Sequence, residues 1–171
     1  MKLATAKDGG RDGTLLVVSR DLGRAVGATG IAPTLQAALD DWASVRGKLG
    51  ELFERLNAGR CDGAFPFDPA AAAAPLPRAY QWLDGSAYLS HVERVRRARG
   101  ATMPESFRTD PLMYQGGSDR LLGARDPILA VSEEWGIDLE AEVAVVTDDV
   151  PMGTNAAAAR GHIQLVMLVN D

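Results

Sequence analysis

Cysteine is all but missing from this chain of 171 residues. Cys61 has no second thiol to pair with and no Cys/His cluster around it, so an internal disulfide is excluded and a reducing, cytoplasmic compartment is expected. Basic side chains are also in short supply: Lys plus Arg number 18 against 23 for Asp plus Glu, a formal net charge of -5. A net negative surface repels phosphate backbones and anionic lipids, which argues against a nucleic-acid partner. Long apolar runs are lacking as well. The longest lies near Leu165 to Val169, far below the roughly 20 residues of a membrane-spanning helix, and Met1 to Arg11 carries no apolar segment behind a basic start. Neither membrane insertion nor export is expected. There is no glycine-rich phosphate loop with a following lysine, no nucleophile elbow and no zinc-protease helix motif, so nucleotide-dependent and serine-hydrolase chemistry find no support.

Apolar residues make up 46% of the chain and charged residues 24%, the proportions of a globular protein. A chain of this length removes roughly 70% of its extended surface from water on folding, enough for a core without disulfide or metal. Any metal is therefore expected to serve chemistry. Lys2 to Ala6 and Thr14 to Ser19 are β-prone runs around the turn-forming stretch Lys7 to Gly13, which predicts a hairpin, with Arg24 to Ala28 as a third strand. Thr34 is placed to cap a helix through Leu35, Ala38, Leu39 and Trp42. A second helix through Leu49, Leu52, Phe53 and Leu56 is ended by Gly59.

Cys61 to Pro77, with four prolines, a run of five alanines between Pro69 and Pro75 and no periodic apolar face, reads as a linker. Ser86 to Arg99 is expected to be a helix stopped by Gly100, and Met103 to Arg125 to be rich in loops. Ile137 to Thr147 alternates as a strand, a short alanine helix follows Thr154 or Asn155, and Ile163 to Val169 reads as a buried strand. The fold class expected is α+β. Residues 1–72 form a β-rich and helical N-terminal domain with its linker, and residues 73–171 belong to a mixed, mainly β domain.

Strand alternation places Glu140 and Glu142 on one face, roughly 7 Å apart, with Leu139, Ala141, Val143 and Val145 on the other. Two carboxylates on one face repel, so either the face is solvated or a cation sits between them, and hard oxygen ligands select Mg²⁺, Mn²⁺ or Ca²⁺ over zinc. Tyr88, His91, Val95 and Arg99 recur at helical spacing and share a stripe, with Asp84 one turn before it. A solvated basic face, with Arg94, Arg96 and Arg97 nearby, is the commoner origin of such a stripe, and spacing alone gives no reason to single out His91. His162, the other histidine, is expected to be a satisfied packing residue, and Tyr114 a core or rim aromatic.

Taken in order, these residues resemble the fumarylacetoacetate hydrolase family, in particular its single-chain bacterial members. The resemblance rests on Asp84 in Tyr-Gln-Trp-Leu-Asp-Gly-Ser, His91 seven positions later, Arg99 in Ala-Arg-Gly, Tyr114 in Pro-Leu-Met-Tyr, Glu140 and Glu142 in Asp-Leu-Glu-Ala-Glu-Val, and Asp171 in Leu-Val-Asn-Asp. It implies a divalent cation, Mg²⁺ or else Ca²⁺ or Mn²⁺, bound by Asp84, Glu140, Glu142 and Asp171. It further implies His91 as general base, and Arg99 and Tyr114 as substrate-binding groups. The implied reaction is hydrolysis of a carbon-carbon bond in a 1,3-diketo acid of fumarylacetoacetate or acylpyruvate type through a metal-bound enolate, as in aromatic amino acid catabolism. Decarboxylation or isomerisation of 2-oxo acids on the same scaffold is the alternative chemistry. A homodimer is implied for the full-length form.

The chain stops directly after an apolar strand, and the family's later lysine, glutamine and histidine-orienting acid do not occur in it. The expectation is therefore an N-terminal portion of something longer, inactive by itself. A catalytically silent module completed by a second chain, and a calcium-binding interaction domain, are the competing readings.

Overall fold

A computed structural model describes residues 1–171. The chain divides into two units, Met1–Asp126 and Pro127–Asp171, and its mixture of helices and antiparallel strands is α+β.

In the first unit, β1 (Lys2–Ala6), β2 (Thr14–Val18) and β3 (Arg24–Gly27) form an antiparallel meander. Leu15, Leu16, Val17 and Val18 are all buried, as befits a central strand covered on both faces. On one face Ala4, Leu16, Val18 and Ala25 pack together beneath Phe67. The other face is set against α2 (Trp42–Asn57), which also packs with α1 (Leu35–Asp40); their buried residues Leu35, Ala38, Val45, Leu49, Leu52, Phe53 and Leu56 recur at helical spacing. Thr34 caps α1 by accepting from the Ala37 N–H at 3.1 Å. The turn between β1 and β2 needs Gly13, which has φ +59°; a Cβ there would lie 2.4 Å from the Ala6 carbonyl oxygen.

Cys61 to Pro77, expected to be a linker, is instead part of this fold. β4 (Phe65–Pro66) pairs with β3, and the Phe67 N–H donates to the Gly23 carbonyl. At the opposite edge the Lys7 N–H donates to Ala71 O at 3.0 Å and the Ala73 N–H to Thr5 O at 2.8 Å. Both outer strands are thus occupied by one segment, which protects edges that would otherwise invite pairing with another chain. The buried Thr5 hydroxyl donates to Pro75 O at 2.6 Å, closing that return path.

Later parts of the unit are tied to the hairpin by ion pairs. Arg78 grips Asp12 through two parallel bonds of 2.8 and 2.6 Å. Lys7 Nζ meets Asp126 Oδ1 at 2.5 Å, while Asp126 Oδ2 accepts from the Gly123 N–H at 2.8 Å. The Lys7 hydrogen bond, followed by that of Gly123, holds the Asp126 carboxyl below its ordinary range; the Arg78 hydrogen bond does the same for Asp12.

Beyond the N-terminal core, β5 (Leu83–Ser86) pairs with β6 (Leu112–Gln115), and α3 (Leu89–Ala98) lies beside β5. The helix expected from Ser86 starts three residues later because Leu83 to Ser86 are engaged by β6. Val92 is the buried residue of α3, flanked by half-buried Val95 and Arg96. Gly100, at φ +65°, ends the helix, with its N–H and that of Ala101 reaching back to Arg97 O and Arg96 O.

The second unit is built on one antiparallel pair, β7 (Ala141–Thr147) and β8 (Ile163–Asn170), joined through α4 (Ala156–Ala159). Asn155 caps α4 through the Ala158 N–H. Here two expectations need correction. The strand read from Ile137 begins only at Ala141, and β8 is not a buried strand: Val166 is 66% and Leu168 85% exposed. Apolar sequence alone did not distinguish a covered strand from an uncovered one.

Two outcomes are predicted. Leu49→Ala removes a fully buried side chain and should lower unfolding stability by about 2 to 5 kcal/mol in urea denaturation. Because Asp126 and Asp12 titrate below their unfolded-state values, their contribution is complete above the usual carboxylate range, near pH 4, and disappears as pH falls through the depressed folded values. Thermal melting should therefore drop steeply below about pH 4, and Asp126→Asn should flatten that acid limb while lowering Tm at neutral pH.

Candidate functional site

Carboxylates in the second unit come together through strand register. Ala141 stands opposite Asn170, Glu142 opposite Val169, Val143 opposite Leu168 and Val145 opposite Val166. Directly opposed residues share a face, so Glu142, Ala144 and Val146 lie with Val169, Met167 and Leu165 on the more covered side. Val143 and Val145 lie with Leu168 and Val166 on the exposed one. The alternation expected around Glu142 is present, with the carboxylate rather than the valines on the more covered face.

Asp171 follows β8 directly. Carboxylate oxygens of Glu142 and Asp171 lie within 4.8 Å of each other, a spacing that one cation could bridge. All the donors are oxygen, the chemistry of a hard divalent ion, so these residues fit the group that the resemblance implies. Glu140, one residue before β7, is half-buried. Its N–H donates to Asn170 Oδ1 at 3.0 Å, and its carbonyl accepts from the Asp171 N–H at 3.0 Å.

In the first unit, Asp84 on β5 and Tyr114 on β6 are directly opposed. Asp84 is half-buried and Tyr114 is 51% exposed, at the rim. His91 lies in the first turn of α3, exposed beside the buried Val92. The stripe expected from Tyr88 to Arg99 is shorter than one helix face: Tyr88 is the extended residue before α3, and Arg99 is the residue that ends it. Arg99 is exposed at that end.

His162 occupies the far end of the hairpin. Its Nδ1 lies 2.5 Å from Asp148 Oδ1, and Asp148 Oδ2 accepts from Gln164 Nε2 at 2.8 Å. The Asp148 N–H returns to His162 O at 3.0 Å, so this cluster closes the hairpin, and its histidine is satisfied. Sequence reasoning missed the part played by Asn170. Its position just before Asp171 was in view, but a side chain that replaces a ladder bond leaves no periodic signal.

Comparison with known protein families matches both parts of the chain. Residues 1–78 match the family model described as fumarylacetoacetase N-terminal domain 2. Residues 81–171, more than half of the chain, match the fumarylacetoacetate (FAA) hydrolase C-terminal model. No curated protein matches the chain. With a hydrolase-family domain covering most of its second half and that family's N-terminal domain ahead of it, the chain belongs to the fumarylacetoacetate hydrolase family.

Proposed function

We propose that this chain is a metal-dependent hydrolase that cleaves a carbon-carbon bond in a 1,3-diketo acid of acylpyruvate or fumarylacetoacetate type. The observation that carries the reading is the Glu142 and Asp171 oxygen pair, placed by strand register within a domain matched to the FAA hydrolase model. Asp84, Glu140, Glu142 and Asp171 would hold the cation, with Mg²⁺ the first choice and Mn²⁺ or Ca²⁺ acceptable to the same donors. When bound, it supplies Lewis-acid stabilisation of the negative charge that develops as the carbon-carbon bond breaks.

The remaining chemistry belongs to side chains of α3 and β6. His91 takes a proton from water on a ring nitrogen, and the hydroxide adds to the substrate carbonyl carbon. The bond to the neighbouring carbon then breaks, and the proton held by His91 is available to that leaving carbon. Arg99 binds the substrate carboxylate through charge-assisted hydrogen bonds, and the Tyr114 hydroxyl fixes its orientation. Cys61 as the chain's one thiol supports a reducing, cytoplasmic setting for this reaction. No helix of the structure is long and apolar enough to cross a membrane.

A second reading draws on the uncovered apolar face formed by Val143, Val145, Val166 and Leu168. In it the chain binds the cation but turns over substrate only when another polypeptide, such as a second copy, covers that face. Cation binding without cleavage by the monodisperse monomer, and cleavage once it is assembled, favours this reading.

Mg²⁺ or Mn²⁺ is expected to raise Tm with concentration, as ligands of the native state do, and Glu142→Ala should abolish the shift. An unchanged shift in that variant removes Glu142 from the ligand set. In a full-length member of the family carrying the same residues, cleavage of an acylpyruvate, followed by loss of its enol absorbance, should fall about 10²- to 10⁴-fold in the variant equivalent to His91→Ala with little change in Tm. Wild-type turnover in that variant returns His91 to a solvated helix face.

A further inference from the structure

Glu140 occupies the point at which the ladder between β7 and β8 stops following its own pattern. With Ala141 opposite Asn170, Glu140 faces Asp171. In an antiparallel pair two such residues can exchange both N–H to carbonyl bonds. Here only one of the two is made by the backbone, from the Asp171 N–H to Glu140 O at 3.0 Å. The other, from the Glu140 N–H, goes at 3.0 Å to the side-chain oxygen of Asn170. Consecutive residues therefore hold both backbone groups of Glu140: the carboxamide of one and the N–H of the next.

We propose that Asn170 is a positioning residue for the cation site, its carboxamide oxygen fixing the backbone of Glu140 in relation to Asp171. The proposal deepens the cation reading above and rests on it. Asparagine suits the task because its oxygen accepts a hydrogen bond without adding another negative charge beside Glu140, Glu142 and Asp171. An apolar side chain of similar size would leave the Glu140 N–H to water and free the residue to turn about its remaining bond. Groups that orient metal ligands from behind typically account for about 10- to 100-fold in metal affinity.

The test uses the whole chain and three variants, Asn170→Leu, Asn170→Asp and Glu142→Gln. In the metal-free protein, amide hydrogen exchange at Glu140 should speed up in Asn170→Leu and stay slow in Asn170→Asp, while Val143 to Val146 keep wild-type protection in both. Mn²⁺ titration followed by the electron paramagnetic resonance of the free ion should show affinity about 10- to 100-fold weaker in Asn170→Leu. Asn170→Asp should restore it. Equal Mn²⁺ affinity in wild type and Asn170→Leu, with Glu142→Gln weakened, overturns the positioning role and leaves the cation reading standing. Loss of protection along the whole of β7 in both Asn170 variants shows a general structural role and also overturns it. Wild-type protein that binds no Mn²⁺ overturns both.

Discussion

Strand register is the constraint on which the proposed chemistry depends. Successive side chains of a strand point to opposite faces, so a slip of one residue in the pairing of β7 with β8 would move Glu142 to the opposite face of the pair. The valines opposite it would change sides with it. The register is held along the length of the pair, from Ala141 opposite Asn170 to Val145 opposite Val166, and at the far end by the Asp148, His162 and Gln164 cluster. Two carboxylates brought this close repel unless a cation or a proton stands between them. A divalent ion held by both would turn this proximity into favourable contacts, which is what the proposed chemistry asks of the register.

The same hairpin is poor in burial. One of its faces presents Val143, Val145, Val166 and Leu168 to solvent, whereas the N-terminal sheet has Leu15, Leu16, Val17 and Val18 covered from both sides. Paired strands without a packed face are marginal in water, because backbone ordering is not offset by apolar burial. Side-chain clamps thus matter more in the second unit than in the first. Removing one buried leucine from the N-terminal core is a loss among many contacts; removing Asn170 takes away half of what holds Glu140.

Much of the fold was legible where local chemistry decides it. The run Thr-Leu-Leu-Val-Val announced a strand, Thr34 the start of α1, and Gly100 the end of α3. The segment from Cys61 to Pro77 was not legible, because it attaches through backbone bonds to Thr5, Lys7 and Gly23, and such bonds leave no side-chain pattern. Alanine and proline suit that role by staying small and extended, yet the same composition describes a linker. For β8, the apolar run predicted the strand but not its exposure, since hydrophobicity records a preference for cover and not the presence of it. At the site, the order of Asp84, His91, Arg99, Tyr114, Glu140, Glu142 and Asp171 could be read from sequence. That Glu140 lies outside β7 could not, since the Asn170 side chain that replaces its ladder bond is a tertiary contact.

Exposure also ranks the contributions to the proposed reaction. His91, Arg99 and Tyr114 are all solvent-exposed, and a charge-assisted hydrogen bond from an exposed guanidinium competes with water at high dielectric, where unit charges at about 4 Å gain only about 1 kcal/mol. On the proposed reading Arg99 and Tyr114 would orient a substrate without anchoring it strongly by themselves. A divalent ion held by several carboxylates would supply a much stronger local field at the oxygens whose charge grows during bond breaking. Substrate affinity should therefore follow the cation, and discrimination among diketo acids should follow the side chains of α3 and β6. On this division, substitutions at Glu140, Glu142 or Asp171 are expected to abolish the proposed reaction as a class, whereas those at Arg99 and Tyr114 should redistribute which acids are turned over.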